Sequence, residues 1–293
     1  MKGTERILLY AVNGGTGRTT TAFAVARMLA NWGRRVLVVD AHLDSPGATS
    51  GFVEPDKLPR YGVGDWLIEQ SVDIGDMLAS PAWTAKLPGK IDVVPAYGRD
   101  TRDYLSKVGR VHANEAWAED IAELVTMMEV AIRPEVVLID GPSGLWGASL
   151  VLSLDATVWT FLMDNESTWN TYNLLFRKWL ESGIAEQVRE RIKAIAAMVP
   201  LRRADEHMEA LRERAWDLFR DTLYDEDWGT ESVFSFDLMD DAAPHCAIPV
   251  FWVDGIMHPK SLRDISGMAL DLAYAELAQE LSWLKDEACV TCG

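Results

Sequence analysis

The 293-residue chain is predicted to form a single α/β domain: a doubly wound, mostly parallel sheet with helices on both faces. Three observations predict it. Several strand-like runs are continuously apolar, as strands covered on both faces are, rather than alternating. Helix-period segments separate them along the whole chain. The first strand leads through a glycine-rich turn straight into a helix, at Asn13-Gly-Gly-Thr-Gly-Arg-Thr-Thr20. With 48% of its residues apolar the chain can bury a full core, and no repeat, low-complexity run or linker divides it.

Residues 7–12 read as the first strand, and residues 19–32 as a helix with Phe23, Ala26, Leu29 and Ala30 on one face. Residues 36–39 are the second strand, ending at Asp40, and residues 91–95 are a short β-branched third. A helix over 115–132 precedes a buried strand over 136–139, which ends at Asp140. A strand over 157–163 is followed by a helix over 168–181, then a strand over 192–199. Residues 206–223 are helical, with Met208, Leu211, Ala215 and Phe219 in register. Residues 248–252 form a late strand. Residues 261–284 read as one long helix, with Leu270, Ala273, Leu277, Leu281 and Leu284 at helical spacing. Residues 285–293 are expected to be a flexible tail.

Charge narrows the functional classes. The chain carries 28 Lys and Arg against 45 Asp and Glu, a net charge of −17. Nucleic-acid binding needs clustered positive charge, so it is not expected. Residues 221–254 hold nine acidic side chains and no Lys or Arg; they read as a solvated loop, or as a docking segment for a basic partner. No apolar run approaches the roughly 18–20 residues of a membrane span. The N-terminal residues lack the pattern of a signal peptide. Three cysteines do not make a disulfide framework. A soluble, cytoplasmic protein is expected.

The glycine-rich turn has the layout of a phosphate-binding loop. Gly14, Gly15 and Gly17 permit a backbone that turns several N–H groups inward, with Thr16 between them. The helix behind it adds its positive end. The Thr19 hydroxyl, with Thr20 beside it, stands where such loops ligate Mg²⁺, and Arg18 supplies charge. Asp40 and Asp140, at carboxyl ends of two strands, are where an open sheet places ligand-binding groups. They are candidates to hold a metal together with Thr19; the plainer alternative is that each caps the segment after it.

Three segments together resemble the ParA/MinD ATPases. Asn13-Gly-Gly-Thr-Gly-Arg-Thr-Thr20 is similar to their deviant phosphate loop, in the variant group written KGGVGRT. Val36-Leu-Val-Val-Asp-Ala-His-Leu-Asp-Ser-Pro-Gly47 resembles their first switch. Val137-Leu-Ile-Asp-Gly-Pro-Ser-Gly144 resembles their Walker B strand and second switch. The resemblance implies a P-loop NTPase fold, ATP with Mg²⁺, and a nucleotide-dependent homodimer that signals to a protein partner. It makes Asn13 through Thr20 the candidate nucleotide contacts.

The departures fall on the chemistry. The family's signature lysine corresponds to Asn13, its Walker lysine to Arg18, and the water-orienting aspartate of its first switch to His42. Asp44 stands two residues further on, where it could substitute. Asp44, His42 and Arg18 are therefore the catalytic candidates. His42 reads either as a base near neutral pH or as a side chain in a degraded switch. Pro200 and Arg202, after a late strand, are placed as base contacts. Trp146, in the second switch, is a candidate interface or nucleotide-sensing residue. Cys289 and Cys292 form a terminal CxxC, read as a frayed tail or as half of a metal site shared by two chains.

The leading expectation is an ATP–Mg²⁺ switch that controls a protein partner, with hydrolysis slow or lost. The alternatives are an active partitioning or positioning ATPase, a metal-insertion ATPase using the CxxC, and a scaffold without nucleotide.

Overall fold

Seven strands make one sheet: β1 (Glu5–Ala11), β2 (Arg35–Asp40), β3 (Lys90–Val94), β4 (Val136–Ser143), β5 (Thr157–Leu162), β6 (Ile192–Pro200) and β7 (Ile248–Trp252). Their order is β3-β2-β4-β1-β5-β6-β7, and every neighbouring pair is parallel. The computed structural model describes residues 3–225, 234–257 and 261–286. Cys289, Cys292 and most of the expected tail, as well as part of the acidic stretch, lie outside the described residues.

The helices are α1 (Arg18–Asn31), α2 (Gly47–Phe52), α3 (Val63–Glu69), α4 (Tyr104–His112), α5 (Trp117–Ile132), α6 (Ala148–Ser153), α7 (Glu166–Glu181), α8 (Ala185–Val188), α9 (Ala204–Arg220), α10 (Asp254–Met257), α11 (Gly267–Ala273), α12 (Ala275–Glu280) and α13 (Trp283–Asp286). Successive strand residues point to opposite faces, and this divides the core in two. Ile7, Leu9 and Ala11 of β1 pack with α1, α2 and the C-terminal helices. Leu8 and Tyr10 pack with α3 to α7 and α9. Both faces being covered is why the strands carry continuous apolar runs.

The expected strands and helices are present in order, with four corrections, the first being that β4 does not end at Asp140 but runs on to Ser143. The long helix expected over 261–284 is broken. A single 3₁₀ turn over Leu262–Asp264 comes first, then Ser266 caps α11 by accepting from Ala269 N–H, and the run breaks again at Tyr274. The Tyr274 ring is buried and its hydroxyl reaches to 3.5 Å from Thr21 Oγ1, so side-chain insertion overrides the apolar period. The helix expected from 115 starts at Trp117. The described part of the acidic stretch is not simply solvated. Asp225 pairs with Arg189, Asp241 pairs with Arg212, and Phe234 and Phe236 pack on Tyr224. Helices α2, α3, α4, α6, α8 and α10 lie outside the sequence expectations; α4 is the one that matters most for the site.

Candidate functional site

The loop between β1 and α1 opens at the carboxyl ends of the central strands. Gly15 (φ +74°) and Gly17 (φ +84°) take left-handed backbone angles, and a Cβ at either would meet nothing within 4 Å. Glycine is used there for its angles, and the space above the loop stays open. Gly47 is small for another reason: a Cβ there would come within 3.0 Å of the Thr19 side chain. The segment that leads into α2 thus lies directly against the start of α1.

These elements enclose a cavity of about 580 Å³, lined in part by Gly14 through Thr20, His42, Asp44, Ser45 and Ser143. That is within the roughly 300–1,000 Å³ usual for small-molecule sites. The far wall is apolar and comes from Met198, residues 250–253, Ile256 and Tyr274.

Asp40 and Asp140 are directly opposed in the β2/β4 register. Both are fully buried. Asp140 Oδ2 accepts from Thr19 Oγ1 at 2.6 Å, whereas Oδ1 is buried without a hydrogen-bond partner. Asp40 Oδ2 accepts from the Thr49 N–H and hydroxyl at 2.6 and 2.7 Å, and its Oδ1 from His42 N–H at 3.2 Å. Burial, and then the charge of Asp140, pushes Asp40 up to about 7. Burial also raises Asp140, against the Thr19 hydrogen bond and the charge of Arg18. A group with two buried carboxyls and one orphaned oxygen is short of positive charge. Among the described residues no cluster of three or more His, Cys, Asp or Glu forms a metal cage. The oxygen donors of Thr19, Asp140 and Asp40 suit Mg²⁺, which takes one or two carboxylates and completes its shell with phosphate and water.

Arg18 lines the cavity, and its guanidinium also makes a contact inside the protein. Its side chain is buried, and Nη1 donates to Gly141 O at 2.6 Å. It ties the loop to the segment that follows Asp140, whose Gly144 O also accepts from Tyr10 Oη at 3.1 Å. Burial lowers the Arg18 pKa and the neighbouring Asp140 charge opposes that. Asn13 turns sideways: its Nδ2 donates to Thr168 Oγ1 at 2.9 Å, at the start of α7.

Pro200 and Arg202 do not line the cavity. β6 sends Met198 there instead, at a register irregularity between Ala196 and Val199. Met198 has φ +59°, a left-handed angle that costs a non-glycine residue free energy and clusters at ligand sites. Trp252 and Tyr274 complete this wall.

His42 borders the cavity, and burial, then the Arg18 charge, lowers it to about 4. Its imidazole is neutral at pH 7 and a weak base, contrary to the reading of a near-neutral base. The stability consequence has a definite sign. Below about pH 6.5 the unfolded chain takes up a proton that folded His42 resists until about pH 4. The His42 contribution is therefore present above pH 6.5 and lost as pH falls toward 4. Asp40, raised on folding, acts in the opposite direction. Denaturant unfolding at pH 7 and pH 5 should show that His42→Gln loses less stability on acidification than the wild type.

Asp44, also at the cavity edge, is paired. Its Oδ2 accepts from Nε2 of His112, the last residue of α4, at 3.0 Å. Trp146 lies close by, stacked between the rings of His112 and Trp117.

The profile of the CobQ/CobB/MinD/ParA nucleotide binding domain matches residues 7–269. Cobyrinic acid a,c-diamide synthase from Mycobacterium smegmatis, solved with ADP and magnesium, has 18% identity and a TM-score of 0.55 over 96% of this chain and 95% of that one. Apo McdA from Cyanothece has 17% identity and a TM-score of 0.53 over 98% and 99%. The MinC:MinD cell division complex from Aquifex aeolicus gives 16% identity and a TM-score of 0.51 over 70% and 72%. At such identities the likeness concerns the fold. No curated protein sequence matches the chain. No helix among the described residues is long and apolar enough to cross a membrane.

Proposed function

The chain belongs to the CobQ/CobB/MinD/ParA nucleotide-binding domain family, and we propose that it is an ATP–Mg²⁺-binding switch that controls a protein partner and hydrolyses ATP slowly or not at all. The observation that carries this reading is the pairing of an open glycine cradle with Asp140, whose buried Oδ1 has no partner beside the Thr19 hydroxyl. In this reading the N–H groups of Gly14 through Thr20 hold the phosphates. Thr19 and Asp140 hold Mg²⁺, with Asp40 in support through its grip on the first switch. The bound ion would neutralise phosphate charge. Met198, Trp252 and Tyr274 would receive the base and ribose.

Slow turnover follows from three placements. Arg18 is spent on Gly141, Asn13 on Thr168, and His42 is a neutral imidazole where a carboxylate would orient water. Phosphoryl transfer depends almost wholly on positioning and charge stabilisation, so each loss costs rate more than it costs binding. We further propose one domain, a cytoplasmic location, and a nucleotide-dependent pair of chains; solved relatives such as MinD in its complex with MinC motivate a protein partner. Steady-state phosphate release from the purified chain should stay below about one turnover per minute, far under the roughly 10 per second of a median enzyme. A robust rate that Arg18→Ala abolishes would sink the slow-hydrolysis part.

A further inference from the structure

The contacts of α4 lead beyond the cavity. This helix is fastened to the first switch at both ends: Tyr104 Oη donates to Leu43 O at 2.7 Å, and His112 Nε2 donates to Asp44 Oδ2 at 3.0 Å. The His112 ring also reaches the second switch, stacking on Trp146 with 4.5 Å between centroids and 27° between planes. Trp146 in turn lies on the buried Trp117 of α5, at 3.9 Å and 16°. Asp44, His112, Trp146 and Trp117 thus form a continuous contact chain from the cavity edge to the core. It bypasses the phosphate loop.

We propose that His112 is a positioning residue that couples the two switches, so that a nucleoside triphosphate acting on Asp44 shifts the stacking of Trp146. The inference rests on the reading of the cavity as an ATP site. It is argued from three features of the geometry. Asp44 borders the cavity and has a single side-chain partner among the described hydrogen bonds, so ligand on that side bears on His112 first. His112 is exposed and ends its helix, so its ring can move without breaking packed core. Trp117 is buried in the core, so Trp146 rests on a surface that packing holds in place.

The experiment uses the full chain and tryptophan emission. ATP–Mg²⁺ should change the emission of the wild type, with a component that Trp146→Phe removes. His112→Ala should remove at least four-fifths of that component while the ATP dissociation constant stays within threefold. His112→Gln can still donate to Asp44 but lacks the aromatic ring that stacks on Trp146, and should behave like His112→Ala; it also serves if the alanine variant folds poorly. Asp44→Asn, which still accepts from His112, should keep the signal, and Asp44→Ala should lose it. A purely structural role for His112 would lower melting temperature without separating these variants. Retention of the full Trp146 component in both His112 variants overturns the proposal, as does ATP binding with no Trp146 component in the wild type. Failure of the wild type to bind ATP–Mg²⁺ at all would overturn the nucleotide reading itself.

Discussion

Arg18→Ala should lower the melting temperature of the nucleotide-free protein by about 5–10 °C. Nη1 of the buried guanidinium donates to Gly141 O at 2.6 Å, and its charge opposes that of Asp140. Losing a charged hydrogen bond and leaving a buried carbonyl unpaired costs about 2–3 kcal/mol, and the void adds to it. In a chain of this size each kcal/mol moves the midpoint by about 2–4 °C. ATP affinity should fall about tenfold, because the loop loses its tie to the second switch while its N–H groups remain. Arg18→Lys keeps the charge but has a shorter reach and no fork, and should recover less than half of the lost stability. A thermal scan checks both. An Arg18→Ala protein as stable as the wild type would mean that the guanidinium serves ligand alone.

Asp140→Asn should separate stability from binding. In the free protein the carboxylate sits buried, raised by its burial, with one oxygen unpartnered. Removing an under-compensated buried charge without changing shape should stabilise that state, by about 1–2 kcal/mol. The same substitution removes a metal-binding charge, and the affinity for ATP–Mg²⁺ should fall about 100-fold, or ~2.7 kcal/mol. The affinity for ATP in EDTA should change much less. Opposite signs in the two measurements would mark Asp140 as a group kept for a ligand rather than for the fold. Loss of stability and unchanged binding would assign it to the fold.

What the sequence made legible follows from which interactions are local. The strands declare themselves because burial on both faces forces continuous apolar runs such as Val36 to Val39. The glycine turn declares itself because only glycine readily takes the angles of Gly15 and Gly17. Asp40 ends β2, whereas Asp140 lies inside β4, and their mutual opposition follows from the parallel pairing of those two strands. Other features depend on contacts between residues far apart in the chain. Nothing in Ala196-Ala-Met-Val199 signals an irregular strand that turns Met198 into a cavity, so Pro200 and Arg202 were the residues expected there. The periodic leucines of the last segment concealed a break caused by Tyr274 reaching beneath α1. Residues 104–112 carry Tyr104, Val108 and Val111 at helical spacing, but the run is only nine residues long and is interrupted by Gly109, so α4 falls outside the sequence expectations, and with it the partner of Asp44. The expectation that Asp44 could replace a lost carboxylate was a statement about the residue; its attachment to His112 is a property of the fold.

Whether the cradle between β1 and α1 binds ATP with Mg²⁺ is decided by calorimetric titration of the purified chain. One site per chain is expected, with a dissociation constant on the order of 1–100 µM, weakened at least tenfold in EDTA and about 100-fold by Asp140→Asn. A folded wild-type protein that gives no binding to ATP–Mg²⁺ or ADP–Mg²⁺ at millimolar nucleotide would contradict it.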